Sequence, residues 1–383
     1  MALHFDRAEY DHRIEATTRA MKAQRLDALL MFRQESMFYL TGYDTFGFCF
    51  FQCMVLTADG QLVLLTRAPD LRQAQLTSIV TDIRIWKDGA AAEPTEDLRA
   101  ILEELDLDGG RLGIELDAYG FTGRTLRRFD RAMEGFAAFT DASGLVSDLR
   151  IIKSEAEIAY VRRAAELGDD ALDAGLALIG PGADEGEILA AMQGAVFRGG
   201  GDYAGNEFII GSGEHALLCR YFTGRQTLKV QDQLTLEFAG AYRHYHAAMM
   251  RTVPVGTVTS LQKDMHSACQ DALLGCEAAL TPGTTMGEVF QVHADIFDKA
   301  GYGAHRMNAC GYSQGTTFAP IWMDYPMFYQ DNPTVIQPGM VFFLHMILMD
   351  SDSGTAMTLG RTSLVTEQGA ERLHRHSLDL LTG

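Results

Sequence analysis

The sequence predicts an α/β domain over residues 1–150, followed by an α+β domain over residues 151–383 with a largely antiparallel sheet. Helical and strand-like stretches alternate up to about residue 150, which is the pattern of a layered α/β domain. Beyond that point, a Pro-Gly turn followed by an amphipathic helix occurs twice, in Leu178–Leu189 and in Leu280–Phe290. This repeat indicates two similar halves related by a pseudo-twofold axis, with a cleft between them where chemistry is expected.

The elements predicted for the first domain are a helix over Arg7–Ala23, a strand over Asp27–Phe32, strands over Met54–Thr57 and Leu62–Leu65, a helix over Thr95–Leu105 and a strand over Leu112–Leu116. The two middle strands flank Ala58-Asp59-Gly60, and such turn residues between apolar runs are typical of a hairpin. No Gly/Ser-rich linker marks the end of this domain, so its boundary is predicted from the pattern of elements.

In the second domain a long helix begins after Ser154, because Ser154 as N-cap and Glu157 three residues later fit a capping box. Strands are predicted over Phe208–Gly211, Gln233–Phe238, Tyr242–Val255, Gly339–Met349 and Thr362–Thr366. Strands that follow helices in each half indicate an α+β domain whose sheet is mostly antiparallel.

Composition excludes several classes of protein. The chain has 383 residues with 47% hydrophobic content, which is enough for two cores. It contains no apolar run of about 18 residues and no secretory signal, so a cytoplasmic protein without a membrane span is expected. Its formal charge of −19 argues against nucleic acid or anionic membrane as a partner. Six cysteines without paired zinc-type spacing are expected to be free thiols.

Four segments resemble the creatinase/prolidase family, whose catalytic domain has the pita-bread fold. They are Leu149–Ile158, with its Arg-x-x-Lys-Ser start, Phe208–Gly213, with its Gly-Ser-Gly turn, Gln337–Val341, which reads Gln-Pro-Gly-Met-Val, and Ser36–Tyr43. The resemblance covers nearly the whole chain. It implies a creatinase-type N-terminal α/β domain over residues 1–150 and a pita-bread catalytic domain over residues 151–383. It also implies a homodimer.

In the peptidase members of this family, two Asp, one His and two Glu bind a pair of divalent metals. Carried over by resemblance, those positions fall on Glu237, Ala248, Tyr312, His345 and a site near Gly360. Alanine and glycine cannot ligate a metal, and a dinuclear site for hard cations needs several carboxylates. The resemblance therefore implies a protein with no metal site and no cofactor.

The family also has metal-free members that hydrolyse C–N bonds in small amidine or guanidine compounds, among them creatinase and ectoine hydrolase. Leu236–His246 is most similar to the ectoine hydrolase branch, which also has Glu at the first Asp position. Arg220 replaces a histidine of that branch, and Met357–Arg361 replaces an acidic stretch. These departures favour a related small nitrogen compound as the substrate over ectoine itself.

The candidate catalytic residues are Glu237, His246 and His345. Glu237 ends an apolar strand and would act as nucleophile or general base at an sp² carbon flanked by nitrogens. A structural salt bridge to Arg251 is the alternative. Either histidine would carry the proton, since histidine titrates near neutral pH. The alternative for each is a hydrogen-bonded interior histidine.

The candidate substrate-binding residues are Arg220, Tyr312, His244 and Trp322. Arg220 would grip a substrate carboxylate, or it would balance the charge of Glu237. Tyr312 would donate a hydrogen bond or simply pack, and Trp322 would line the pocket or belong to the core. His244 and His246 flank one residue, so on a continuous strand they would project from the same face.

Together these features predict a metal-independent hydrolase of a non-peptide C–N bond in a small nitrogen-containing compound of the amidine or guanidino type. A metal-dependent Xaa-Pro peptidase is one alternative, which the size of the family favours and the replaced ligands oppose. A non-catalytic pita-bread binding module is the other. The retention of Glu237 and of histidines at cleft positions favours an enzyme.

Overall fold

The computed structural model describes residues 3–220 and 224–383. These residues form two compact units, Met1–Arg150 and Ile151–Gly383. Among the helices described, none is both long enough and apolar enough to cross a membrane.

The first unit is built on a mixed six-stranded sheet. Its strands are β1 (Ala28–Met31), β2 (Cys53–Thr57), β3 (Leu62–Arg67), β4 (Asp82–Trp86), β5 (Arg111–Ile114) and β6 (Ala138–Asp141). Their order is β4-β3-β2-β1-β5-β6, with β2 antiparallel to both neighbours and the other pairs parallel. The helices are α1 (Arg7–Ala23), α2 (Gln34–Thr41), α3 (Leu71–Thr77), α4 (Pro94–Glu104), α5 (Gly123–Ala132) and α6 (Gly144–Arg150). Every helix and strand predicted for this domain is present.

The second unit contains an antiparallel eight-stranded sheet with four long helices. Its strands are β7 (Ile209–Ser212), β8 (Asp232–Tyr242), β9 (Tyr245–Val255), β10 (Ala309–Ser313), β11 (Asp324–Tyr329), β12 (Val341–Asp350), β13 (Thr355–Thr366) and β14 (Gly369–Arg372). The order is β11-β10-β12-β13-β9-β8-β7, and β14 pairs with β13. The helices are α7 (Glu155–Leu176), α8 (Glu185–Arg198), α9 (Ser260–Ala279) and α10 (Met286–Lys299). The predicted capping box of Ser154 and Glu157 opens α7.

The two Pro-Gly repeats make the same backbone hydrogen bonds. In the first copy, the N–H groups of Gly182 and Glu185 donate to the carbonyls of Leu228 and Gln226 at 2.8 and 2.9 Å. In the second copy, the N–H groups of Gly283 and Met286 donate to the carbonyls of Ile336 and Thr334, each at 2.9 Å. Both glycines have positive φ, 86° and 93°, which explains why glycine follows proline in each turn. The pseudo-twofold repeat read from the sequence is confirmed.

The strand β12 shows how the sheet separates a helix-covered face from the face that carries the polar residues. Alternate residues of a strand point to opposite faces. Phe342, Leu344 and Met346 belong to the core formed with α9 and α10. Phe343 and His345 therefore project from the other face.

One predicted strand begins at the wrong residue. The segment Tyr242–Val255 is not continuous, because β8 ends at Tyr242 and β9 begins at its pairing partner Tyr245. Arg243 and His244 form the turn between them, with φ of 51° and 64°. A two-residue hairpin turn of type I′ has positive φ at both central residues, and such turns usually carry Gly, Asn or Asp. His244 and His246 consequently do not share a strand face.

Candidate active site

A single row of residues crosses four strands of the second sheet and carries the main polar groups. Glu237 on β8 pairs with Met250 on β9, Met250 with Gly360 on β13, and Gly360 with His345 on β12. Residues directly opposite one another project to the same face of a sheet. Glu237 and His345 therefore lie on one face, with the small residue Gly360 and the flexible side chain of Met250 between them.

Ala248 and Tyr312 lie on this face as well. Ala248 is two residues before Met250 on β9, and Tyr312 on β10 pairs with Phe343, two residues before His345. The rings of Tyr312 and His345 are 5.6 Å apart between centroids. All the positions that the resemblance relates to metal ligands thus project from the same face of the sheet.

The space beside Gly360 is filled by an aromatic ring. A Cβ atom placed on Gly360 would come within 2.9 Å of two ring carbons of Phe343 and within 2.9 Å of the Leu344 carbonyl oxygen. A glutamate at this position would need Phe343 to move. The Phe343 ring therefore occupies the space that a carboxylate side chain at position 360 would need.

The residues of this face do not fit a dinuclear metal site. The five positions that the resemblance relates to metal ligands supply one carboxylate and one imidazole, with alanine, tyrosine and glycine at the other three. Across residues 3–220 and 224–383, no cluster of three or more His, Cys, Asp or Glu side chains is arranged to hold a metal ion. Hard divalent cations are held by several oxygen ligands, which this face does not offer.

Glu237 is half-buried, and its carboxylate is the acidic group of the face. Tyr312 donates a hydrogen bond from its hydroxyl to Oε1 of Glu237 at 3.5 Å. Burial raises the pKa of Glu237 to about 7, against the opposing effects of the Arg220 charge and the Tyr312 hydrogen bond. Such a pKa suits a general base that works near neutral pH.

Trp322 sets the direction of the hydrogen bond to Glu237. Its indole Nε1–H donates to the Tyr312 hydroxyl oxygen at 2.9 Å, and an indole N–H can only donate. The proton of the Tyr312 hydroxyl is therefore free to point at Glu237. Trp322 and Tyr312 are both buried, so this chain of two hydrogen bonds is shielded from water and leaves Oε2 of Glu237 available to a ligand.

His345 is a neutral, incompletely bonded imidazole. It is 8% exposed, and its Nδ1 has no hydrogen-bond partner among the described residues. Burial, together with the charge of Arg220, lowers the pKa of His345 to about 4. At pH 7 its ring is therefore uncharged and can accept a proton.

His246 has both ring nitrogens engaged. The Gly205 N–H donates to Nε2 at 2.9 Å, so Nε2 carries no proton, and Nδ1–H donates to the Thr317 hydroxyl at 3.2 Å. Burial lowers the pKa of His246 to about 4. His246 pairs with Ala241 on β8, and Ala241 is four residues from Glu237. The backbone positions of His246 and Glu237 are therefore separated by roughly 13 Å along the strand direction. His246 lies on the same face as Glu237 but holds the loop at Gly205.

His244 lies in the β8–β9 turn, away from the row that contains Glu237. Its ring stacks on Phe318 with 4.2 Å between centroids. Its backbone N–H donates to Oδ2 of Asp202 at 3.3 Å, and its carbonyl accepts from Thr317. The structure thus connects His244 to the loops that flank the sheet.

Arg220 follows β7 and is exposed. Its charge lowers the pKa of both Glu237 and His345, the two residues at the ends of the row across the sheet. Among the described residues, Arg220 and Glu237 interact through charge but form no direct ion pair. This leaves the guanidinium fork available for another anion.

Arg251 does not pair with Glu237, contrary to the structural alternative considered from the sequence. It is the strand partner of Leu236, so it projects from the opposite face of the sheet. Its Nη1 donates to the carbonyls of Met250 and Gly360 at 2.8 and 2.6 Å. The carboxylate of Glu237 therefore remains without a structural cation from this strand.

Gln314 is a further candidate residue that sequence reasoning missed. It is fully buried, and its Oε1 accepts hydrogen bonds from the Ala248 N–H at 2.9 Å and the Thr362 hydroxyl at 2.8 Å. Its Nε2 has no partner among the described residues. A buried amide donor beside Ala248 is a candidate for ligand recognition. The sequence offered no signal for it, because its partners come from two other strands.

Comparison with known proteins agrees with this fold. Residues 13–152 match the Creatinase/Prolidase N-terminal domain, and residues 159–367 match Metallopeptidase family M24. The chain therefore belongs to the creatinase/prolidase family, and it has the creatinase-type N-terminal domain and the pita-bread fold of that family. It is a hydrolase of this family.

Enzymes of two kinds occur among the proteins similar to this chain. The chain is 28% identical to the ectoine hydrolase of Halomonas elongata, over 97% of each chain. It is 26% identical to the Xaa-Pro dipeptidase of Pyrococcus furiosus, over 63% of this chain and 68% of that one. The solved structure of the dipeptidase PepE from Mycobacterium ulcerans matches with a TM-score of 0.85 and 22% identity, over 99% of both chains.

Proposed function

We propose that the protein is a metal-independent hydrolase that cleaves a non-peptide C–N bond in a small amidine or guanidino-type compound. The observation that carries this proposal is the pair Glu237 and His345 on a face where the other ligand positions are Ala248, Tyr312 and Gly360. This face retains a base and a proton acceptor while lacking the donors for two metals. The full-length similarity to an ectoine hydrolase supports the same class of reaction.

Glu237 would act at the carbon between the two nitrogens of the substrate. An amidinium or guanidinium carbon is electrophilic, and its N–H groups pair well with a carboxylate. With Oε1 held by Tyr312, Oε2 would either attack this carbon or take a proton from the attacking water. The pKa near 7 leaves about half of the Glu237 carboxylates ionised at neutral pH.

His345 would transfer the proton to the leaving nitrogen. Its neutral ring can accept a proton from the tetrahedral intermediate through the unpartnered Nδ1. An imidazolium in this buried position is a strong acid, because burial holds the pKa of His345 at about 4, so it would readily protonate an amine. We assign this role to His345 and not to His246, whose two nitrogens already bond to Gly205 and Thr317.

Arg220 would bind a carboxylate of the same substrate. It is the exposed cation whose charge reaches Glu237 and His345, and a guanidinium matches a carboxylate in a bidentate pair. A substrate with an amidine-type carbon and a carboxylate would place its cationic end at Glu237 and its anionic end at Arg220. Gln314 and Tyr312 would supply further hydrogen bonds to the substrate. Trp322 would hold the Tyr312 hydroxyl in place through its own hydrogen bond.

The direct test is a substrate panel assayed on chelator-treated protein. The panel contains cyclic amidine acids, guanidino acids, the amidated analogue of each and Xaa-Pro dipeptides. We expect hydrolysis of an acid from the first two groups, and we expect the Arg220→Gln variant to lose the preference for the acid over its amide. Cleavage of Xaa-Pro dipeptides that stops on chelation and returns with Mn²⁺ would instead establish the metallopeptidase alternative.

Metal removal should leave the activity unchanged. Elemental analysis of the purified protein should find far less than one equivalent of Mn, Zn or Co per chain, because a single carboxylate and a single imidazole bind divalent ions weakly. Calorimetric titration of the chelator-treated protein with Mn²⁺ should give no stoichiometric binding. Two tightly bound ions per chain would contradict the assignment of this face as metal-free.

The pH–rate profile should have one rising limb. Since ionised Glu237 is required and burial raises its pKa to about 7, kcat/KM should increase through about pH 7 and then level off. The Tyr312→Phe variant removes a hydrogen bond that lowers this pKa, so its limb should move to higher pH, with kcat reduced about tenfold. A Tyr329→Phe variant, at a half-exposed tyrosine of β11, is the control. A falling limb near pH 7 would show that Glu237 acts as an acid.

A further inference from the structure

A buried carboxylate at the start of α8 joins the two ends of the segment that carries Arg220. Glu185 is fully buried. Its Oε1 accepts the N–H of Ser212 at 2.7 Å, and its Oε2 accepts the N–H groups of Arg225 and Gln226 at 3.0 and 3.1 Å. Ser212 is the last residue of β7, before Arg220, and Arg225 and Gln226 follow Arg220. One side chain therefore holds both ends of this segment.

The packing around Glu185 leaves little freedom for these ends. A Cβ atom on Gly224 would lie 2.9 Å from the carbonyl carbon of Glu185, so the chain passes directly against the start of α8. The Glu185 N–H also donates to the Gln226 carbonyl at 2.9 Å. The backbone of Arg225 and Gln226 is thus bonded to Glu185 through both its side chain and its main chain.

The internal repeat shows that the scaffold itself does not require a carboxylate here. In the second copy the equivalent residue is Met286, whose N–H donates to Thr334 at 2.9 Å as that of Glu185 does to Gln226. Met286 is fully buried in an apolar core and supplies no charge. The turn and helix therefore form equally with a methionine. The carboxylate occurs in the copy that contains Arg220 and Glu237.

We propose that Glu185 is a positioning residue, which fixes Arg220 beside Glu237 and His345 by tying together the two ends of the segment that contains it. This inference rests on the proposed function only in that Arg220 is taken to bind the substrate carboxylate. The position of Arg220 is a property of the folded protein and can be measured without a substrate.

Trp322 provides a readout of this position. The chain contains two tryptophans, Trp86 and Trp322. In a Trp86→Phe background, we expect the fluorescence of Trp322 to respond to ionisation of Glu237, because Tyr312 is hydrogen-bonded to both side chains. We expect a transition near pH 7 that disappears in Glu237→Gln, because burial raises the pKa of Glu237 to about 7. The absence of a transition in the parent protein would overturn the electrostatic link on which the proposal depends.

The Glu185→Gln variant should move this transition to higher pH, by up to the shift seen in Arg220→Gln, which we expect to be about one pH unit. The direction is informative. Loss of the negative charge of Glu185 could by itself only lower the pKa of Glu237, whereas displacement of Arg220 raises it. In an Arg220→Gln background, Glu185→Gln should produce no further upward shift, since the two act through one route.

The matched control is Glu187→Gln, an exposed glutamate in the same first turn of α8, which should leave the transition in place. Glu185→Asp is made in parallel, because it keeps the charge but shortens the side chain, and it should also raise the midpoint. An unchanged midpoint in a folded Glu185 variant, or an equal upward shift with Arg220 already removed, would overturn the proposal. Failure to hydrolyse any tested substrate would count against the proposed function and would leave this result intact.

Discussion

The Glu237→Gln variant should lose on the order of 10³-fold or more in kcat while remaining folded. Glutamine keeps the size of the side chain and can still accept the hydrogen bond from Tyr312, but it cannot attack a carbon or remove a proton from water. The matched control is Glu207→Gln, at an exposed glutamate before β7, which should keep full activity. Steady-state kinetics on the substrate identified by the panel give the comparison, and full activity of a folded Glu237→Gln protein would remove Glu237 from the mechanism.

The same variant should be more stable than the wild type at alkaline pH. Because burial raises the pKa of Glu237 from 4.5 to about 7, the folded protein binds this proton more tightly than the unfolded chain does. The wild type therefore loses stability as the pH rises from about 4.5 to about 7, and the neutral glutamine does not. Since Glu237 is partly exposed, we expect a difference of about 1–3 kcal/mol in unfolding free energy at pH 8.

Denaturant unfolding at pH 5 and at pH 8 measures this difference. The two proteins should unfold at similar denaturant concentrations at pH 5. At pH 8 the variant should unfold at a higher denaturant concentration than the wild type. Equal stability at both values would show that Glu237 is ionised without cost, and a general base tuned by burial would then be the wrong description. This measurement needs no substrate, so it tests the environment of Glu237 separately from the reaction.

The His345→Gln variant should reduce kcat by about 10²- to 10⁴-fold, the usual contribution of a positioned proton-transfer group. Its stability should change little, because Nδ1 of His345 has no partner to lose. The His246→Phe variant should behave in the opposite way. This substitution leaves the Gly205 N–H and the Thr317 hydroxyl without a hydrogen-bond partner, which costs about 1–3 kcal/mol of stability. The kcat of the folded fraction should stay within about tenfold of the wild-type value.

Kinetics and thermal unfolding on both variants separate the two histidines. A large loss of kcat in His246→Phe at unchanged stability would transfer the proton-transfer role to His246. Retention of kcat in a folded His345→Gln protein would leave Glu237 to carry the proton as well as the attack. Both results are read at a pH above 7, where Glu237 is ionised, so that the histidine effect is not mixed with titration of the carboxylate.

Much of the site could be anticipated from the sequence because its residues lie on strands with clear alternation. A polar residue within an apolar strand such as Val341–Asp350 must face a cavity or a partner, so His345 was identifiable from its position alone. The same reasoning applied to Glu237 at the end of a run of apolar residues. The assignments of these residues to catalysis, and of Arg220, Tyr312, His244 and Trp322 to substrate binding, remain predictions.

The error at His244 has a definite physical origin. Period-two patterns continue through a tight hairpin turn, so Tyr242–Val255 looked like one strand. Only the positive φ values of Arg243 and His244 reveal the reversal, and neither residue type signals it. His246 was similarly indistinct, because its partners Gly205 and Thr317 are distant in the chain and come together only in the folded domain.

By itself the sequence determined the two-part architecture and the pseudo-twofold repeat, whereas the replacement of the metal-ligand positions is what the family resemblance implies. These depend on local signals, namely strand and helix periodicity, Pro-Gly turns, a capping box and the identity of single residues. The tertiary structure alone decided which polar groups act together. Four arrangements join residues that are far apart in sequence. They are the row from Glu237 to His345, the packing of Phe343 against Gly360, the hydrogen bonds from Trp322 to Tyr312 and from Tyr312 to Glu237, and the hydrogen bonds of Glu185 to both ends of the segment that contains Arg220. Strand register and burial set those contacts, and no local pattern encodes them.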